Sequence, residues 1–366
     1  MSQYSDPVLD CPVDELPDPQ ELIEAAMQWH FSPQTGCRYW LERAKTLDFD
    51  PRRDVHTFAD LKLFPNIVNE MRDVRIEDLI PQGYHSPGQL FGVFESGGTT
   101  GAPKRVVCMT DWLARWLAFG TRSLDARNCP PGLNWLVLLP SGPHMAGHGA
   151  REQARARGGV VFTIDMDPRW VKRCIAEGRV SDAGRYVDHL ITQARNLLET
   201  QDIGIIVSTP PLLERLAQHD ELVTLINEKV RVIQWAGAHM DADTRYLFRT
   251  EVFPAVDLYG FYASTMVLGG AYERMDLTDD DPCVFDPFSP YLSFSVIDPE
   301  TGQDVGYGER GQVVMNHISK GMLAPNNLER DMAVRVRPPA GQLGDSVAEV
   351  SPVASFDNES VIEGVY

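Results

Sequence analysis

Positive charge is what this chain is short of. Lysine and arginine together number 33 against 52 aspartates and glutamates, so the formal net charge is −19. An acidic surface repels the phosphates of nucleic acid and of anionic lipid, and neither is expected as a partner. Long apolar runs are also missing: nothing approaches the ~18 consecutive apolar residues of a membrane-spanning helix. The opening stretch MSQYSDPVLDCPVDELPDP is polar and acidic, without the basic and apolar regions of a secretory signal, so the expected location is the cytoplasm. The six cysteines, Cys11, Cys37, Cys108, Cys129, Cys174 and Cys283, are widely and irregularly spaced. With no C-x-x-C, neither a zinc site nor thioredoxin chemistry is indicated, and reduced thiols are expected. The nine histidines show no H-E-x-x-H or comparable metal spacing, and no metal ligands are assigned.

What is present suffices for a large core: 366 residues, 43% of them hydrophobic. Asp18-Pro19-Gln20-Glu21 is a good helix start, with Asp as cap and Pro in the first turn, and Leu22, Ala25, Ala26 and Trp29 follow on one face. Thr110 is expected to cap a second helix. Its stripe of Trp112, Leu113, Trp116 and Leu117 reads as core rather than ligand site. Strand-like stretches then alternate with helical ones: NWLVLLP, GGVVFTIDM, DIGIIVSTPPLLERLAQH, KVRVIQWAGAHMDADTRYLF and AVDLYGFY. That alternation indicates an α/β fold with a mostly parallel sheet and βαβ crossovers, whose ligands gather beyond the carboxyl ends of the strands. From about residue 280 the texture changes to short strands and tight Gly/Pro/Asp turns. The expected organisation is a helical segment over 1–50, an α/β core over 51–279, a β-rich subdomain over 280–340 and a tail over 341–366.

The most informative stretch is ESGGTTGAPK at 95–104. FGVFE before it and KRVVCMT after it are strand-like, so the loop is expected to close a glycine-rich hairpin. It is not a P-loop, because Pro103 precedes Lys104 and Arg105 follows it, and the G-x-G-x-x-G signature is absent. Its chemistry still suits phosphate. Successive glycines let backbone amides converge on one anion, Ser96, Thr99 and Thr100 add hydroxyls, and Lys104 adds a positive charge.

The string Ser96-Gly97-Gly98-Thr99-Thr100-Gly101-Ala102-Pro103-Lys104 resembles the phosphate-binding signature [ST]-[SG]-G-[ST]-T-G-x-P-K of the adenylate-forming superfamily at every position. Further stretches resemble that family in the same order. LPSGPHMAGHG is similar to its Pro-x-x-x-His-x-x-Gly segment near the acyl pocket, through Pro140, His144 and Gly147. WAGAHMDADTRYLF is similar to the adenine-contacting turn, through Ala236, Gly237 and Ala238. DLYGFYAS is similar to the Tyr-Gly-x-Thr-Glu motif, through Tyr259 and Gly260. NNLERDMAVRV resembles the Tyr-Arg-Thr-Arg-Asp segment of phenylacetate-CoA-ligase-like members, through Asp331. The resemblance as a whole covers about residues 54–345.

The resemblance implies the large N-terminal domain of such an enzyme, ATP and AMP as nucleotides, and activation of a carboxylic acid as its acyl-adenylate with release of pyrophosphate. Asp331 would hold the ribose diol, Tyr259 would stack on adenine, and the loop amides with Thr99, Thr100 and Lys104 would hold the phosphates. Lys104, Thr100 and His144 are the catalytic candidates. Two departures stand out. Ala263 and Tyr262 occupy the Glu and Thr places of the Tyr-Gly-x-Thr-Glu motif, with Glu273 further along, so magnesium is expected to ride on the phosphates. GQLGDS at 341–346 resembles the hinge, but no lysine follows Lys320, so a vestigial tail is expected in place of the mobile lid. Short, lidless wording of this kind resembles the phenazine-modifying adenylating branch of griseoluteic acid biosynthesis. It implies a flat aromatic carboxylate as substrate, a partner enzyme that takes the acyl group, and a role in antibiotic biosynthesis. A homodimer is compatible with the sequence. The alternatives are a fatty-acid-activating acyl-protein synthetase, which needs a reactive cysteine, and a non-catalytic nucleotide-binding scaffold.

Overall fold

The computed structural model describes residues 4–84, 87–96, 102–279, 281–353, 355–356 and 359–360. The first helix, Pro19–His30, begins as the sequence suggests: the Asp18 carboxylate accepts the amides of Gln20 and Glu21, and Pro19 needs no amide partner in the first turn. Its buried face, Leu22, Ile23, Ala26 and Met27, joins the main apolar cluster, so the N-terminal segment shares its core with the body of the chain.

The hairpin around the glycine loop is β1 (Leu90–Glu95) paired antiparallel with β2 (Arg105–Met109), with Glu95 opposite Arg105. β2 runs straight into the helix Thr110–Ala126. Met109 is therefore the cap position and Thr110 the first helical residue, which corrects the capping role expected of Thr110. Trp112, Leu113 and Trp116 are buried on that helix.

Eleven described strands form one sheet. Its first half is parallel: β3 (Asn134–Leu138), β4 (Val161–Thr163), β5 (Ile203–Ser208), β6 (Val232–Ala236) and β7 (Asp257–Ser264), in the order β4-β3-β5-β6-β7. Both faces are covered, and β5, IGIIVS, is buried at every position. The strand direction reverses after β7. Only residues 265–268 connect it to β8 (Gly269–Glu273), too few for a crossover helix, so β8 returns as a hairpin partner. β9 (Val284–Pro287), β10 (Leu292–Ile297), β11 (Arg310–Ile318), β12 (Leu323–Val336) and β13 (Ser346–Pro352) complete an antiparallel half ordered β8-β9-β13-β12-β11-β10. The change in sequence texture near residue 280 thus lies within an antiparallel half that is hydrogen-bonded to the parallel one.

Among the described residues no helix is long and apolar enough to cross a membrane, and no group of three His, Cys, Asp or Glu side chains is placed to hold a metal ion.

Candidate active site

A cavity of about 390 Å³ opens where the two halves of the sheet meet. Its walls include the residues just beyond the carboxyl ends of the parallel strands: Leu139 and Pro140 after β3, Thr209 after β5, and Gly237 to Met240 after β6. Residues 328–331 of β12 and 349–352 of β13 close it from the antiparallel side. Side chains there project from strand ends into open space, which is why ligands collect at such places in α/β sheets.

The neck of the glycine hairpin borders the cavity. The Ser96 amide donates to the Lys104 carbonyl at 2.9 Å, and the Lys104 amide donates to Ser96 Oγ at 3.1 Å. Both side chains line the cavity, and Lys104 is 8% exposed. Gly97, Gly98, Thr99, Thr100 and Gly101 lie outside the described residues. The neck is pinned from below. The Glu95 amide donates to the Pro143 carbonyl at 2.7 Å, and the Glu95 carboxylate pairs with Arg105 at 2.9 Å and Arg169 at 2.6 Å. Burial works against ionisation of Glu95, yet the two guanidinium groups hold its carboxyl below the ordinary glutamate range.

Pro140 and His144 line the cavity; Gly147 does not. A Cβ at Gly147 would sit 2.3 Å from the Pro140 oxygen, so glycine is what lets the helix Met145–Ala156 start tight against that loop. Burial, then the nearby Arg169, lowers the pKa of His144, leaving its imidazole neutral at pH 7.

Ala236, Gly237 and Ala238 all face the cavity. Gly237 has φ of 82°, a left-handed conformation that explains why glycine stands at this turn. His239 Nδ1 donates to the Val350 carbonyl at 2.7 Å, tying the turn to the end of β13.

Tyr259 and Gly260 are not part of the cavity wall, and the adenine-stacking role expected of Tyr259 is corrected. Tyr259 is fully buried in a second apolar cluster with Trp135, Val137 and Val207. Its hydroxyl donates to Gln234 Oε1 at 3.0 Å, and the Arg127 guanidinium lies 3.8 Å over its ring. The Gly260 amide donates to Glu273 Oε2 at 2.7 Å, and a Cβ there would press to 2.5 Å on the Trp235 ring. Tyr262 is the tyrosine of β7 that reaches the cavity. Its hydroxyl donates to Asp331 Oδ2 at 2.9 Å. Ala263, Ser264, Thr265 and Met266 line it too. The Tyr-Gly-x-Thr-Glu pattern therefore fits three residues later, with Tyr262 and Thr265 matching, Ala263 for Gly and Met266 for Glu. A strand's period of two puts residues 259 and 262 on opposite faces, so a slip of three reverses the side that the tyrosine serves. Glu273, the next carboxylate along the chain, is buried and paired: its Oε1 accepts from Arg245 at 2.7 Å and Arg249 at 2.9 Å.

Several wall residues were not singled out from the sequence. Glu329 lines the cavity beside Arg330 and Asp331, in the stretch of β12 where pairing with β11 is irregular, so simple strand alternation would not have found it. Burial, reinforced by the Asp331 charge, pushes the Glu329 carboxyl up to about 7. Lys172 lines the wall from the helix Pro168–Ala176; burial and then Arg330 bring its amine down to about 8. Trp116, expected as pure core, is both core and cavity wall. With Phe261 (ring centroid 5.3 Å away) and Tyr272 (6.2 Å, nearly coplanar) it forms an aromatic end beside Gly149, Ala150 and Gly269. Among the described residues, the buried polar atoms on cavity-lining side chains that have no hydrogen-bond partner include Trp135 Nε1, Trp235 Nε1 and Thr209 Oγ1.

No protein-family model and no curated protein matches the sequence. Solved structures do match. One is 2-hydroxyisobutyryl-CoA ligase in an open conformation with 2-HIB-AMP and CoA. It has a TM-score of 0.60 and 14% identity, over 94% of this chain and 76% of that one. The same ligase in its postadenylation state with 2-HIB-AMP gives a TM-score of 0.63 and 14% identity, over 94% of this chain and 69% of that one. At such identity the likeness is one of fold, and it spans nearly all of this chain: the protein has the fold of the large N-terminal domain of adenylate-forming enzymes.

Proposed function

We propose that the protein is an ATP-dependent ligase that activates a carboxylic acid as its acyl-adenylate. The observation that carries this reading is convergence. The neck of the phosphate-signature loop, the 236–238 turn, the Tyr262–Asp331 pair and His144 all border one cavity. Each suits one part of the reaction. The Asp331 carboxylate, oriented by the Tyr262 hydroxyl, can accept both ribose hydroxyls in charge-assisted bonds. The turn offers flat backbone and small side chains to the adenine. Lys104 meets the departing phosphates.

A carboxylate oxygen then attacks the α-phosphorus in line. The new O–P bond forms as the bond to the β-phosphate bridging oxygen breaks, and pyrophosphate leaves with that electron pair. No proton need move, so the site's task is alignment and charge neutralisation. Neutral His144 fits such a site, being a hydrogen-bonding wall rather than a base. Magnesium would arrive on the triphosphate. The carboxylates on the described wall are Glu329, Asp331 and Glu349, and Glu329 is half protonated near neutrality, so the protein offers few hard donors of its own.

The acid we propose is aromatic. Trp116, Phe261 and Tyr272 give a flat apolar end, and Gly149, Ala150 and Gly269 leave it room. The unpartnered Trp135 and Thr209 groups offer polar contacts to an occupant of the cavity. The resemblance to phenazine-modifying enzymes of antibiotic biosynthesis makes a phenazine carboxylate the first acid to try, with a partner enzyme as acceptor of the acyl group. A thioester-forming acyl-protein synthetase fits less well. Cys283, the cavity-lining cysteine, has its thiol raised well above the ordinary range by burial and by Glu273, the reverse of a nucleophile's need.

ATP–pyrophosphate exchange over a panel of acids tests the reading. Exchange with flat aromatic acids is expected. Exchange only with long acyl chains moves the protein to the acyl-protein synthetase class, and ATP binding without exchange leaves a scaffold.

A further inference from the structure

Lys172 belongs to none of the sequence motifs, yet its side chain lines the cavity. Its helix is firmly placed. The Asp167 carboxylate caps it by accepting the amides of Arg169 at 2.9 Å and Trp170 at 3.3 Å, and Pro168 fills the first turn. Val171 and Cys174 are buried beneath it. Arg169 reaches Glu95 at 2.6 Å, clamping the helix start to the neck of the glycine hairpin. Lys172 lies one turn beyond Pro168, which also lines the cavity, so both share the helix face that looks inward.

The surroundings of the amine locate it further. Two charged or titratable neighbours are coupled to it. Arg330, next to Asp331 on β12, depresses its pKa, and Lys172 is among the charges that lower the pKa of His144. The amine is therefore within electrostatic reach of both Arg330 and His144, and all three residues line the same cavity. On the adenylation reading above, the α-phosphate is bonded to a ribose held at Asp331 and attacked by the carboxylate, which would bring it to the stretch of wall that Arg330, Lys172 and His144 share. Cations crowded at one wall repel each other, and an anion between them relieves that repulsion.

We infer that Lys172 is a catalytic residue of the adenylation step, its ammonium group contacting an oxygen of the α-phosphate and offsetting charge there as the acyl O–P bond forms and the pyrophosphate bond breaks. The role rests on that reading; the contact itself can be tested without knowing the acid. A preplaced cation stabilises such charge without the reorganisation that solvent would need.

The test compares adenosine, AMP and ATP titrations by calorimetry on the wild type, Lys172→Met and Lys172→Arg. Methionine keeps the length and apolar stem of the side chain and removes the charge. The expected result is AMP and ATP binding weakened about tenfold or more in Lys172→Met, the range for a lost hydrogen bond to a charged group. Adenosine affinity should stay at the wild-type value, and Lys172→Arg should recover most of the loss. Unchanged AMP affinity in Lys172→Met overturns the contact. Weakened ATP with unchanged AMP assigns Lys172 to the outer phosphates and also overturns it. Loss of adenosine affinity as well points to a damaged cavity, and recovery in Lys172→Arg then decides for the contact and its absence against it. With an acid that exchanges, Lys172→Met should lower kcat at saturating ATP; an unchanged kcat removes the catalytic role. If the wild type exchanges with no acid, the adenylation reading fails and the catalytic role with it, while the AMP titrations still decide the contact.

Discussion

The two halves of the sheet build the cavity in different ways. The parallel half contributes tight turns, namely the Ala236-Gly237-Ala238 turn, Thr209 and the Pro140 loop held close by Gly147, together with the Trp135 and Trp235 indoles. The antiparallel half contributes charge, with Glu329, Arg330 and Asp331 in a row on β12. The difference follows from geometry. Loops at the carboxyl ends of parallel strands turn directly into helices and present their peptide groups. The antiparallel strand β12 crosses the mouth where its pairing with β11 is irregular, between Leu328 and Met332, so consecutive residues border the cavity there. The cavity lies where the halves join and so has both kinds of wall, which the proposed nucleotide would use.

Breaking the joint itself should have the largest effect. Glu273 on β8 is 3% exposed and bonded to Arg245, Arg249 and the Gly260 amide, so it ties the first antiparallel strand to the parallel half. Glu273→Ala leaves two guanidinium groups without their shared carboxylate and should cost ~3–5 kcal/mol in urea unfolding. A loss below 1 kcal/mol means that the pair does not hold the halves together.

Next comes the charged wall. Asp331→Ala should weaken both ATP and adenosine by ~1.5–3 kcal/mol, the range for hydrogen bonds to a charged group, with the unfolding midpoint little changed. Equal adenosine affinity in the variant and the wild type, measured by calorimetry, removes Asp331 from the ribose site.

Glu329 gives a smaller, pH-dependent effect. Its carboxyl is raised from 4.5 to about 7, so the folded protein binds its proton more tightly than the unfolded chain does. The stability that this confers is fully present below about pH 4.5 and is lost as pH rises through 7. Glu329→Gln removes that loss. The variant should gain on the wild type between pH 5 and pH 8 by ~1–2 kcal/mol, less than the full shift implies because the side chain borders a cavity open to water. Parallel stability curves for the two proteins across that range would contradict the shift.

The finest test separates the two tyrosines of β7. Tyr262→Phe takes a hydrogen bond from Asp331 and should weaken ATP by ~0.5–1.5 kcal/mol while stability holds. Tyr259→Phe should leave ATP affinity alone and lower stability by a similar ~0.5–1.5 kcal/mol, because Gln234 loses its partner in the core. If Tyr259→Phe is the variant that loses ATP, the motif belongs at 259 and the later register is wrong.

Much of the architecture was legible in the chain alone, because local chemistry decides it. Asp18-Pro19 starts a helix wherever it stands, β-branched runs such as IGIIVS make buried strands, and strands alternating with helical stretches have few arrangements besides a parallel sheet. The loop 95–104 could likewise be read as the tip of a hairpin from its flanks. The loop residues themselves fall outside the described ones, and what the structure adds is the neck, where Ser96 and Lys104 face the cavity. What the chain alone could not decide is which side of an element serves the site. Tyr259 and Tyr262 are both aromatic, both in one strand and both beside a motif-like glycine or alanine, and only the register of β7 against β6 and β8 turns one into core and the other into cavity wall. Lys172 has no local signal at all. A lysine on an amphipathic helix is ordinarily a solvent-facing charge, and it becomes a cavity residue only because Asp167, Arg169 and Val171 fix its helix across the opening. Local propensity acts through neighbours in sequence, whereas a site is made by residues from distant segments that meet only when the sheet has assembled.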